Sequence, residues 1–125
     1  MEIKLTREEI LGVFHTSLCN GLSQMHYYGI GLVYEMEDYK SAKDKVMDGC
    51  YEDVLMQILL DGNSLSFVDE EAGDDDFTKI VLESVLTGVP KVDPDTLFNI
   101  INERDDAFDA DCVLQCVIFG EVIYG

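Results

Sequence analysis

The chain has 125 residues, 47% of them hydrophobic, and carries 26 Asp and Glu against 8 Lys and Arg, a formal net charge of −18. That length and apolar content suit a single compact domain over residues 1–125 with its own core, and they exclude an intrinsically disordered chain. The charge excludes free nucleic acid and anionic membrane as direct partners, because both are bound through Lys and Arg.

The imbalance is uneven along the chain. Residues 1–45 hold seven acids and five bases, whereas residues 46–125 hold nineteen acids and three bases, and no base lies between Lys45 and Lys79. The opening MEIKLTREE lacks the apolar stretch of a signal peptide, and no run reaches the roughly eighteen apolar residues of a membrane span. A cytoplasmic protein is therefore expected. Cys19, Cys50, Cys112 and Cys116 form no CxxC pair, so reduced, mostly buried thiols are expected, with a secreted protein holding two disulfides as the alternative.

Thr6-Arg7-Glu8-Glu9 has the form of a capping box ahead of an apolar run. Leu11, Phe14, Leu18, Leu22 and Met25 then recur at three and four residues, which predicts a helix of about five turns. Gly29 ends it, and residues 30–35 read as a strand. Asp38 is expected to cap a short charged helix over residues 39–47. Cys50 or Tyr51 opens an apolar helix that stops at Gly62, and residues 64–69 alternate as a strand. An acidic loop over residues 69–76 leads into a strand over residues 77–82, with a last strand residue and a turn over residues 82–86. Asp93 with Pro94 starts another helix, proline being favoured in the first turn. A final helix over residues 109–119 ends at Gly120, and residues 121–124 look like a terminal strand.

Asp53-x3-Gln57-x4-Gly62 and Asp111-x3-Gln115-x4-Gly120 share one spacing. Helix, glycine stop and strand thus recur, which predicts an α+β fold: a small, mainly antiparallel sheet of three to four strands with helices packed on one face.

Metal and catalytic motifs find little support. An EF-hand loop started at Asp61 puts Leu65 and Ser66 at its fifth and sixth positions, and one started at Asp69 puts Gly73 and Asp74 there, so neither fits. Weak, unspecific Ca²⁺ association with residues 69–76 is the most that loop offers. His15 and Cys19 share one helical face, as do Cys112 and Cys116; the two pairs together would form a His-Cys₃ zinc set. Cysteines and histidines beside an apolar stripe are more often core residues, so no metal and no cofactor are expected. Gly29-Ile30-Gly31 begins a G-x-G-x-x-G match that fails at Tyr34. No catalytic residues are assigned. A thiol nucleophile would need Cys50, Cys112 or Cys116 brought to His15 or His26 by the fold.

The acidic surface is the remaining signal, set against the ordinary reading of a solvated face in a very soluble protein. Alternate residues on a strand lie about 6.6 Å apart, a spacing comparable to neighbouring phosphates along one nucleic-acid strand. Rows of carboxylates can thus stand in for a phosphate backbone. The residues expected to meet a partner are Asp69, Glu70, Glu71, Asp74, Asp75 and Asp76, with Asp105, Asp106, Asp109 and Asp111 as a second cluster. Tyr27-Tyr28-Gly29 resembles the YYG of barstar-like inhibitors, and the residues after it depart from that pattern. In composition the chain is similar to phage-encoded nucleic-acid mimics and to immunity proteins, a likeness that covers no motif. The expected function is a non-enzymatic inhibitor or mimic, encoded by a phage or other mobile element, that engages a basic, nucleic-acid-handling protein. An immunity or antitoxin protein against a basic toxin is an alternative. So is an assembly protein packing its apolar C-terminus over residues 117–124 between subunits, a homodimer included, and so is a small hydrolase using carboxylates or a Cys/His pair.

Overall fold

The computed structural model describes residues 4–70, 77–104 and 106–124. Within them the chain runs α1 (Arg7–Tyr27), β1 (Ile30–Val33), α2 (Met36–Val46), α3 (Tyr51–Leu60), β2 (Leu65–Asp69), β3 (Phe77–Ile80), α4 (Leu82–Gly88), a 3-10 turn (Val89–Lys91), α5 (Pro94–Ile101) and α6 (Ala107–Phe119). The three strands form one antiparallel sheet in the order β1-β2-β3. The architecture is α+β, with helices packed on one face of that sheet.

Register and side-chain alternation fix which face is covered. Leu32, Phe67 and Thr78 stand opposite one another across the three strands, and Leu65 pairs with Ile80. Leu65, Phe67 and Ile80 are buried, as is Ile30, so these residues face the helices. The other face carries Gly31, Val68 and Phe77 in one row and Val33, Ser66 and Lys79 in the next. Val33 and Phe77 are exposed there.

The core is organised around α6. Every residue from Asp109 to Ile118 is buried, so this helix is enclosed on all sides instead of lying on the surface with one wet face. Two glycines let its neighbours approach it closely. A Cβ on Gly21 of α1 would stand 2.9 Å from Leu114 Cδ1 and 3.1 Å from the Ala110 carbonyl carbon. A Cβ on Gly88 of α4 would stand 2.8 Å from Val117 Cα. Burial against α6 and the sheet draws together Phe14, Leu18 and Met25 of α1, Leu55, Ile58 and Leu59 of α3, Val85 of α4 and Leu97 of α5. The apolar stripe of α1 and its Thr6–Glu9 capping box form as the sequence implies, with Thr6 Oγ1 accepting from the Glu9 N–H at 3.1 Å.

Three expectations are corrected. Residues 82–86 start a helix, not a turn: Val81 is extended, its N–H bonds Ser84 Oγ at 3.0 Å, and Val85 and Leu86 then turn toward the core. The short charged helix starts at Met36, with Glu35 as its N-cap, so Asp38 lies in its first turn instead of capping it. Residues 121–124 form no strand. Gly120 closes α6 with φ 81°, and the N–H groups of Ile123 and Tyr124 both bond the Gln115 side-chain oxygen at 2.8 Å instead of a neighbouring strand.

Candidate functional site

The ten acids expected to meet a partner occupy different environments. Glu71, Asp74, Asp75, Asp76 and Asp105 lie outside the described residues. Asp69 ends β2 opposite Ile30, on the helix-covered face, half-buried beside Phe119 and Tyr124 in a cavity of ≈ 240 Å³. Glu70 alternates to the open face, where its carboxylate lies over Gly31, and its N–H bonds the Gly29 carbonyl at 2.9 Å. Asp106 is exposed and caps α6, accepting from the Asp109 N–H at 2.9 Å.

Asp109 and Asp111 are corrected outright. Only 8% and 1% of their surfaces are exposed. Asp109 belongs to the start of α6, its carboxylate turned toward the Asp106 N–H and the Asn99 amide. Asp111 sits in a buried polar network, accepting from Tyr28 Oη and from Gln115 Nε2, each at 3.0 Å. The same Gln115 nitrogen donates to the Tyr124 carbonyl at 3.0 Å. These two acids are internal, so they belong to the fold and not to a surface.

The structure assembles a second group that no single stretch of sequence contains. His15 and Cys19 lie on the side of α1 away from its α6-facing stripe, and α3 starts against them. Its N-cap, Cys50, donates its N–H to Asp53 Oδ2 at 3.0 Å. Asp53 Oδ1 meets His15 Nε2 at 2.6 Å. A carboxylate only accepts, so Nε2 carries the proton. On the opposite edge of the ring, Nδ1 lies 4.0 Å from Cys19 Sγ. A ring nitrogen of His15, the Cys50 sulfur and an Asp53 oxygen all fall within 4.8 Å of one another. The hydrogen bond from His15, followed by that from the Cys50 N–H, holds the Asp53 carboxyl below its ordinary value. Burial, followed by the charge of Glu52, pushes the Cys19 thiol up. At Cys50 the hydrogen bond donated to its sulfur by the Asp53 backbone N–H pulls the thiol down, but Glu52, burial and the Asp53 carboxylate outweigh it and leave the thiol raised.

All four cysteines are free thiols, and Cys19 and Cys50 are exposed instead of buried. The His-Cys₃ pairing of His15 and Cys19 with Cys112 and Cys116 is not assembled: the latter two are buried in α6. Burial, with the charge of Asp111 next, pushes the Cys112 thiol up to about 11. In the α1–α3 group, Cys19, His15 and Asp53 stand in the order of a thiol–imidazole–carboxylate relay. Nucleophilic chemistry there is opposed by the raised thiol, which is a poor nucleophile as its protonated form. It is also opposed by the position of Cys19 inside a helix, where backbone N–H groups are committed to carbonyls one turn back and cannot stabilise an oxyanion.

Compared with known proteins, the chain matches no family model, no curated protein and no solved structure. Among the described residues, no helix is long and apolar enough to cross a membrane.

Proposed function

We propose that the protein is a non-enzymatic, strongly acidic binding protein that engages a basic protein, of the kind that handles nucleic acid, through its acidic loop. The observation that supports this most is the way the loop is anchored. Val68 pairs with Phe77, Ile30 pairs with Asp69, and the Glu70 N–H bonds Gly29. Both ends of the segment carrying Glu71, Asp74, Asp75 and Asp76 are therefore tied to one end of a hydrogen-bonded sheet. A folded anchor lowers the entropy lost when a charged surface meets its partner. Among the described residues, Lys45 pairs with a carboxylate, that of Asp61 at 2.7 Å.

Electrostatic complementarity of this kind acts mainly on the rate of encounter. The test compares two triple variants with equal charge change: Asp74, Asp75 and Asp76 to Asn, and Glu2, Glu8 and Glu9 to Gln. Each is used to capture basic proteins from lysate at low salt, and association rates are then measured against ionic strength. Screening shortens from about 10 Å at 0.1 M to about 3 Å at 1 M salt. The loop variant should associate at least about tenfold more slowly and lose most of its salt dependence, while the N-terminal variant stays close to the parent. Equal effects would mean that net charge alone acts, and the loop would be an ordinary solvated turn.

A further inference from the structure

We propose that His15, Cys50 and Asp53 form a binding site for a single divalent transition-metal cation, with zinc as the cation that suits the set. The three side chains come from two helices and already converge within 4.8 Å. A bound zinc needs roughly tetrahedral ligands at about 2.0–2.3 Å, hence roughly 3.3–3.8 Å from one another, so the His15–Asp53 pair at 2.6 Å opens slightly to admit the ion and the Cys50 sulfur turns in toward it.

The chemistry of the set selects the metal. Calcium and magnesium take oxygen ligands, and copper(I) prefers sulfur, whereas one imidazole, one thiolate and one carboxylate together match zinc. The metal takes the place of the proton between His15 Nε2 and Asp53 Oδ1. That proton moves to Nδ1, keeping the ring neutral, and the Cys50 thiol gives its proton to solvent. A thiolate and a carboxylate then carry two negative charges against the two positive charges of the ion, so the site closes electrically neutral. Solvent fills the fourth position, the arrangement of zinc sites with three protein ligands. Cys19 lies on the far edge of the imidazole, so it is not one of the three.

The surroundings already hold the ligands in place. The Cys50 N–H holds Asp53 Oδ2 at 3.0 Å and so aims the other oxygen at His15. Gly49 lies directly over this carboxylate, where an added Cβ would come 2.9 Å from Oδ2. Cys50 is exposed and His15 half-exposed, which leaves a path for the ion. Fixing of ligands by such supporting groups is worth about 10–100-fold in metal affinity.

Cobalt(II) is the probe for the purified, metal-free full chain, because its thiolate charge-transfer absorption appears only when sulfur is bound. That separates this site from the many carboxylates that collect divalent cations loosely. One equivalent of cobalt should produce the band, and one equivalent of zinc should remove it. Cys50→Ser should abolish the band; His15→Ala and Asp53→Asn should weaken binding by more than about 100-fold, beyond the effect of a supporting group. Cys19→Ser and Cys112→Ser with Cys116→Ser should keep the band. Circular dichroism confirms that each variant is folded, and Gly49→Ala gives a second route, weakening the metal while retaining all three ligands. No band with the parent chain overturns the proposal, as does a band that survives Cys50→Ser or that is lost in Cys19→Ser.

Discussion

Replacing Gln115 with Leu should be among the most damaging single changes that leave side-chain size almost unaltered. Gln115 is wholly buried and makes four hydrogen bonds: it donates to Asp111 and to the Tyr124 carbonyl, and accepts from the N–H groups of Ile123 and Tyr124. The three groups on the tail, one at exposed Ile123 and two at half-buried Tyr124, can turn to water once the tail is released. Their loss costs only the net value of a hydrogen bond, about 0.5–1.5 kcal/mol each. Asp111 has no such outlet. It keeps only the Tyr28 hydroxyl among the described residues, and its Oδ1 already lacks a hydrogen-bond partner there. Losing a donor to a buried carboxylate adds about 1.5–3 kcal/mol. The expected total is about 3–5 kcal/mol once the new leucine's apolar contacts are set against it, a large share of the roughly 5–15 kcal/mol that holds a domain together. Denaturant unfolding measures the loss, and hydrogen exchange reads the Ile123 and Tyr124 amides individually. Both amides should be protected in the parent and open in the variant. A loss below about 1 kcal/mol with both amides still protected would refute the reasoning. The Tyr28–Tyr124 stack, with centroids 5.0 Å apart, would then be what holds the tail.

Gly88→Ala should destabilise by about 1–3 kcal/mol, since its Cβ meets the backbone of α6 and not the end of a flexible side chain; an unchanged unfolding midpoint would show that α4 can shift. The Lys45 ammonium, then the Gln57 amide, hold the Asp61 carboxyl below the ordinary 3.8. A lowered folded value contributes stability that is present above 3.8 and lost as pH falls through the folded value, so Asp61→Asn should flatten the acid limb of a stability–pH curve, and an unaltered limb would exclude the pair. Asp111→Asn should leave partner association unchanged, because the side chain is internal; a slower association would return it to the surface.

The helices that carry a wet and a dry face were legible, because burial and exposure leave opposite marks on neighbouring residues. The start of α1 was readable from Thr6 and Glu9, and the ends of α1, α3 and α6 from glycines that adopt positive φ at 29, 62 and 120. The central role of α6 was hidden for a related reason: a helix buried all round has no polar face to give it a period. Asp109 and Asp111 read as surface because Asp is seldom fully buried, and only the fold brings Tyr28, 83 residues away, to Asp111. Residues 121–124 have strand-forming side chains, yet backbone pairing was pre-empted by one amide side chain. The α1–α3 group depends on a contact across 38 residues. Its local halves, His15-x3-Cys19 and Cys50-x2-Asp53, carry the ligand types, and nothing in either half indicates that they meet.

The fold also limits how the chain's acidity can be read. Each helix has acids in its first turn: Glu8 and Glu9 in α1, Glu37 and Asp38 in α2, Glu52 and Asp53 in α3, Glu83 in α4, Asp95 in α5 and Asp109 in α6. A helix N-terminus carries partial positive charge, so an acid there is favoured by about 0.3–1 kcal/mol. Asp93 and Asp106 add direct caps, accepting from the N–H groups of Asp95 and Asp109. A chain with this much negative charge therefore places much of it where the backbone offsets self-repulsion, and Asp61 finds Lys45 while Asp111 finds a buried amide. Neutralising acids at random would thus weaken helices and confuse loss of folding with loss of binding. The acids at 71 and 74–76 lie outside the described residues, and none of them is among the first-turn acids of the six described helices. The N-terminal variant, by contrast, changes Glu8 and Glu9 in the first turn of α1, so comparing its association rate with that of the loop variant requires unfolding curves showing that both variants keep the parent's stability.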